Sequence, residues 1–186
     1  MTTIELWHVE KDAELLAEIG KVTVRWGALD LLLAGLLSTL LQDPSVGHKL
    51  IFVSCRGGWQ RLTKFKATVE DLELDERVKT DLLDLTREFL DLLDERNAIV
   101  HSPLVTSYKV DGKKIGLRVE RLNKNGLKTS VTVDAIRAHA DELGGRLALL
   151  EAIFLDIGLQ MLPEPNEGYH EPQFLNENDP IPDSDG

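Results

Sequence analysis

Within Arg96-Asn97-Ala98-Ile99-Val100-His101, a guanidinium, an amide and an imidazole lie inside six residues. A histidine can take or give a proton near neutral pH. An arginine beside it supplies a fixed positive charge and hydrogen-bond donors. Such a set can move a proton next to a cation. The chain has ten Arg and five His, so an Arg five residues before a His arises about 0.3 times by chance. Spacing alone is weak; the context is stronger. Val78, Leu82, Leu85, Phe89 and Leu92 form an apolar stripe at four-three spacing, and Leu83, Leu90 and Leu93 form its neighbour. Both turn polar at Arg96 and Asn97, where charge is costly to bury. Asn97 and His101 stand at i and i+4, close enough for the amide to orient the imidazole. Arg96 and His101 are about 140° apart on an ideal helix. They converge at a loosened helix end or across two chains. A purely structural role stands beside the chemical one: Arg96 and Asn97 tie the helix to a neighbour, and His101 caps it.

Asp30 is the second candidate. It is the only charged residue from Trp26 to Leu41, and a buried acid needs a partner. Its expected role is to orient Arg96 or His101; a structural ion pair or a narrow polar face is the alternative. For phosphate contacts the candidates are Arg61 and Lys64 in an acid-free stretch from Pro44 to Val69, and Lys109, Lys113, Lys114 and Arg118 in a segment of net charge +5. Solvated loops and strands are the ordinary explanation of such charges. Trp59 and Tyr108 could stack on bases, with Trp59 expected in the core.

These residues need elements to hold them. Leu15, Ile19, Val22, Trp26, Leu29, Leu33, Leu36 and Leu40 predict a first long helix ended by Asp43-Pro44. Leu31, Leu32 and Leu37 widen its apolar surface and predict burial of its second half on several sides. A short segment from His48 to about Cys55 and a helix over Trp59 to Val69 follow. The motif helix begins near Asp75, and Pro103 leaves His101 at its C-terminal edge. From Leu104 the period becomes two, and Asp111-Gly112 and Asn125-Gly126 are turn signals, so a two- or three-stranded meander is predicted at about 104–132. Ile136, Ala140, Leu143, Leu147, Leu150, Phe154, Ile157 and Met161 predict a last helix from Val133 to Leu162. The fold class is all-α: an antiparallel helical bundle over 1–162 with a small β insertion.

The remaining 24 residues, 163–186, hold seven acids, no Lys or Arg and five of the seven prolines. Without them 25 acids face 21 bases, so most of the net charge of −11 belongs to this tail. It is expected to be disordered. It either solubilises the chain or competes for the basic surface. The single Cys55 excludes an intramolecular disulfide and a cysteine-rich zinc site, and suits a reducing cytoplasm. The five His have no metal-ligand spacing. The most apolar run, Leu29 to Leu41, is about 13 residues and short for a bilayer span, so no membrane is expected.

Glu95 to Ser102 resembles the signature of the HEPN superfamily: Arg, a polar residue, a few mostly apolar residues, then His at the end of a bundle helix. Trp26-Gly27-Ala28-Leu29-Asp30 is similar to the aromatic-x-x-Leu-acid pattern in the first helix of many small bacterial members. The order of elements over about 12–162 also fits. The resemblance implies a metal-independent endoribonuclease acting by 2′-hydroxyl transesterification at a homodimeric site, with no cofactor. Arg96 and His101 would be catalytic, and Asn97 and Asp30 orienting. RNA is the implied partner. Some members have no cleavage activity, so a non-catalytic dimeric or nucleotide-binding module is the alternative. The branch paired with nucleotidyltransferase antitoxins has Tyr two residues after the His. Here that position is Pro103, which leaves an antitoxin or other protein partner unassigned.

Overall fold

The computed structural model describes residues 2–6, 12–102, 104–111, 114–122 and 128–160. The tail, Lys113 and both turn signals lie wholly or largely outside them. Five α-helices make up most of the described chain, and the predicted all-α class holds at that level.

Helix α1 (Ala13–Leu40) carries the predicted stripe, with Leu15, Val22, Trp26, Leu29, Leu33 and Leu36 buried. Asp12 caps its start through Leu15 N–H at 3.0 Å. Its end is closed by two backbone bonds, Asp43 N–H to Ser38 O and Gln42 N–H to Thr39 O, with Gln42 at φ 52°. This is the left-handed stop that usually takes Gly or Asn. The second half of α1 is less enclosed than predicted: Leu31 stays 66% exposed. By length and composition α1 could cross a membrane, although its longest charge-poor run looked too short. Only 44% of its most apolar window is buried, against α5 on one side and α2 and α3 on another.

Asp43 also caps α2 (Pro44–His48). A π-helical turn, Lys49–Val53, follows and seats Ile51 in the core. Helix α3 (Gly58–Asp71) buries Leu62, Phe65 and Val69. Helix α4 (Glu76–His101) is capped by Asp75, which accepts from Arg77 and Val78 N–H. It buries Leu82, Leu85, Phe89 and Leu92 as its stripe predicts, and Ser102, before Pro103, is extended. Helix α5 (Val133–Gln160) packs along α1. A Cβ at Gly144 would lie 3.0 Å from the Arg25 guanidinium, so this glycine lets Arg25 reach the backbone of Ala140.

The sheet is larger than the predicted meander. Strands β1 (Thr2–Leu6), β2 (Leu104–Asp111), β3 (Lys114–Leu122) and β4 (Lys128–Val131) form one antiparallel sheet in that order. The added strand is the chain's first segment, Thr-Thr-Ile-Glu-Leu, which pairs Ile4 with Tyr108. The β-prone composition is visible, but its partner lies about a hundred residues away. Arg121 on β3 clamps Glu95 on α4 with two bonds, 2.8 and 3.2 Å. Leu104 and Val131 pack on a second, smaller core of Leu15, Val22, Ile99, Ile136 and Ala140. The main core, from Trp26 to Ile157, fills the rest of the bundle.

Candidate functional site

The end of α4 meets α1 and the start of α3 in a cleft of about 370 Å³. Its lining comprises Trp26 of α1; Arg56, Gly57, Gly58, Trp59 and Arg61 around the α3 start; and Leu93, Arg96, Asn97 and His101 of α4. Three of these are arginines and none is acidic.

Gly58 permits this meeting. A Cβ there would lie 3.0 Å from Leu93 Cδ1 and 3.3 Å from the Trp26 indole. Helix α3 can therefore begin directly against α1 and α4. Its N-cap is Gly57, which has no side chain to accept the first-turn N–H groups, so they remain available to solvent or a ligand.

Arg96 and His101 meet within one chain. Arg96 Nη1 lies 3.0 Å from His101 Nε2 and 2.9 Å from Asn97 Oδ1. The long arginine side chain spans the 140° between the two helix positions without a second copy. The Asn97 amide oxygen accepts from Arg96, where its sequence position suggested the imidazole as its partner. The Arg96 guanidinium lies over the Trp26 ring, 5.4 Å from the centroid, a cation–π arrangement. Burial lowers the Arg96 pKa from its usual range; Asp30 opposes that shift and Arg61 adds to it.

Asp30 is buried, 6% exposed. Its partner is Arg61, through Nη1 and Oδ2, rather than His101 or a direct bond to Arg96. Burial pushes its carboxyl above the usual carboxylate range, while Arg61, and more weakly Arg96, pull the other way. Arg61 also lies over Phe52, 5.3 Å from the ring centroid. The Nε atoms of Arg61 and Arg96 are buried with no hydrogen-bond partner. Arg61 thus holds the carboxylate while Arg96 feels it only at a distance, and the cleft has positive charge to spare.

Of the other candidate phosphate contacts, Lys64 is exposed on α3, one turn beyond Arg61 and outside the cleft lining. Lys109, Lys114 and Arg118 occupy strand positions of one register parity, Arg118 opposite Ser107 and Lys109 opposite Gly116. Arg121 has the opposite parity and turns to α4. Lys113 lies outside the described residues. Trp59 is not core as expected: it is 62% exposed at the cleft. Sequence reading placed Arg56 only as one base of a stretch that could hold phosphates, and Trp26 only in the first-helix stripe and its resemblance, without singling out either as a site residue. The Gly57-Gly58 break beside an acid-free run was the available signal.

No protein-family model, curated protein or solved structure matches the chain. The site therefore speaks through its own geometry.

Proposed function

We propose that this chain is a cytoplasmic endoribonuclease of the HEPN type, working as a homodimer with two such clefts brought close together. The observation that supports it most is the contact of Arg96, Asn97 and His101 in an acid-free cleft beside Arg61. Arginine forks suit phosphate oxygens. An imidazole beside them suits the proton transfers of phosphodiester cleavage.

In this reading a scissile phosphate enters the cleft and draws the Arg96 guanidinium toward its non-bridging oxygens. His101 Nε2, released from Arg96, accepts the 2′-hydroxyl proton as that oxygen attacks phosphorus. The bond to the 5′-oxygen breaks, and a protonated imidazole returns a proton to the leaving oxygen. The products are a 2′,3′-cyclic phosphate and a 5′-hydroxyl. Arg96 carries the charge that builds on the phosphorane. Arg61, held by Asp30, supplies a second fixed positive charge.

The second reading is a non-catalytic dimer or nucleotide-binding module. The same contact favours it in one respect: with Arg96 on Nε2, the imidazole is occupied and the helix end is tied down. Mixed RNA incubated in EDTA with the wild-type chain, Arg96→Ala and His101→Ala decides between them. Cleavage to cyclic-phosphate ends, lost in both variants, supports the nuclease. RNA bound intact supports the module. Light scattering that finds a monomer at micromolar concentration removes the dimeric form of the proposal.

A further inference from the structure

Eight large apolar side chains are markedly exposed among the described residues: Leu16, Val24, Leu31, Val53, Trp59, Leu149, Leu155 and Leu159. Seven are aliphatic and lie outside the arginine cleft. The eighth, Trp59, is aromatic and lines it. Tryptophan is the side chain that gains most from burial, yet this one is 62% exposed. Its place is the first turn of α3, where Gly58 packs against Trp26 and Leu93 and fixes the backbone beneath it. An exposed indole thus stands in a cleft lined by three arginines and no acid, and among the described residues Arg61 alone of the three is paired to a carboxylate, Asp30.

We infer that Trp59 is a base-stacking platform, and that the cleft takes an unpaired nucleotide with its phosphate toward Arg61 and Arg96 and its base on the indole. This rests on the RNA reading above and adds the residue that selects single strands. An indole accepts any base through its π-face, so the preference is for an unstacked base rather than a particular sequence. A base inside a duplex has both faces covered and cannot reach the ring. A cleft of about 370 Å³ is at the lower end of the ~300–1,000 Å³ typical of small-ligand sites, which suits one nucleotide rather than a helix.

The test uses a short 2′-O-methyl single strand, which keeps every base and phosphate but cannot supply the attacking hydroxyl. It is compared with the same backbone made abasic and with its duplex, for the wild-type chain, Trp59→Phe and Trp59→Ala. Stacking predicts that the wild type binds the base-bearing strand about 10- to 100-fold tighter than the abasic one. Trp59→Ala should bring the two together, and Trp59→Phe should keep most of the difference. The salt dependence should be unchanged in Trp59→Ala, because the phosphate contacts persist. Since Trp59 is exposed, the melting temperature should not move. The inference is overturned if Trp59→Ala binds the base-bearing strand like the wild type. It is equally overturned if the wild type ignores the bases, prefers duplex or binds none of the probes. Trp59-dependent binding by a wild-type chain that leaves unmodified RNA uncut would sustain the platform while removing the nuclease reading.

Discussion

The Arg96 guanidinium and the His101 imidazole are bonded in the same helix, Nη1 to Nε2 at 3.0 Å. Arginine has donors only, so in this contact Nε2 is the acceptor and its lone pair is turned to Arg96. A phosphate competing for Arg96 would unmask that lone pair at the place where a 2′-hydroxyl could meet it. In the proposed nuclease reading, one residue would then couple substrate arrival to availability of the base.

The proposed nuclease reading gives the first prediction. His101→Ala should lower cleavage by about 10² to 10⁴, and Arg96→Ala by about 10² to 10³. Both should leave the far-ultraviolet circular dichroism and melting temperature close to wild type, since His101 is exposed and Arg96 half-buried. Arg96→Lys should recover little, because one ammonium cannot hold Asn97 and a phosphate in the guanidinium's planar geometry. Unfolding of both alanine variants would show that the cluster is a helix clasp instead.

The Asp30–Arg61 pair predicts a different pattern. Asp30→Ala strands a guanidinium whose side chain is only 22% exposed, and should destabilise the chain by about 3 kcal/mol. Replacing both partners, Asp30→Leu with Arg61→Met, should return most of that loss, because a matched apolar pair avoids desolvating two charges. The double variant should nonetheless bind RNA more weakly and with a shallower salt slope, having lost a cleft cation. Denaturant melts and binding titrations on the three proteins separate the two effects. A double variant as unstable as Asp30→Ala would show that the carboxylate has another structural duty.

The helices were legible because each repeats one apolar spacing over many turns, so a local error cannot erase it: α4 ends at His101 as Pro103 and the failing stripe indicate. Two features were hidden by distance along the chain. Strand β1 has only five residues, and its partner comes after four helices. The partner of Asp30 lies 31 residues away, and no periodicity connects α1 with α3. Trp59 failed for another reason. Its type favours the core, but its place at the start of α3 sets it at a rim, and only packing shows which dominates. Within the site, the ideal-helix angle asked for a loosened helix end or a second chain to bring Arg96 to His101, because such an angle locates Cα atoms and ignores the reach of an arginine side chain.

His139 should make stability depend on pH. It is buried, 7% exposed, on α5, and burial lowers its pKa, with Glu95 and Glu142 pulling weakly the other way. Above about pH 6.5, the usual imidazole value, both folded and unfolded chains hold it neutral. As pH falls below that value the unfolded chain takes up a proton and the folded chain does not, so stability drops until the folded pKa is passed. Melting temperature should therefore decline from pH 7 to pH 5, and His139→Gln should decline less. Parallel profiles for the two proteins would assign the pH response to other groups.

Glycines provide a graded test of the packing that shapes the cleft. A Cβ at Gly47 would lie 1.9 Å from the Ala34 carbonyl oxygen and 2.7 Å from the Ser38 nitrogen. Backbone cannot yield that much, so Gly47→Ala should detach α2 from α1 at a cost at or above the roughly 1–3 kcal/mol of ordinary overpacking. Gly57→Ala meets nothing within 4 Å and should cost only the roughly 0.5 kcal/mol by which Gly exceeds Ala at an N-cap. Gly58→Ala falls between them. Its nearest neighbour at 3.0 Å is the Leu93 Cδ1 methyl, which can turn away, but the Trp26 indole at 3.3 Å lies under Arg96 and is confined. The methyl should shift α3 by a few tenths of an ångström, cost little stability, and lower cleavage by disturbing the arginine seated on Trp26. Melting temperatures ordered Gly57→Ala, Gly58→Ala, Gly47→Ala from highest to lowest, with activity reduced in Gly58→Ala but not in Gly57→Ala, are the expected result. A Gly58→Ala protein of full activity would mean that the seat of Arg96 tolerates movement and that its position on Trp26 is not what the chemistry requires.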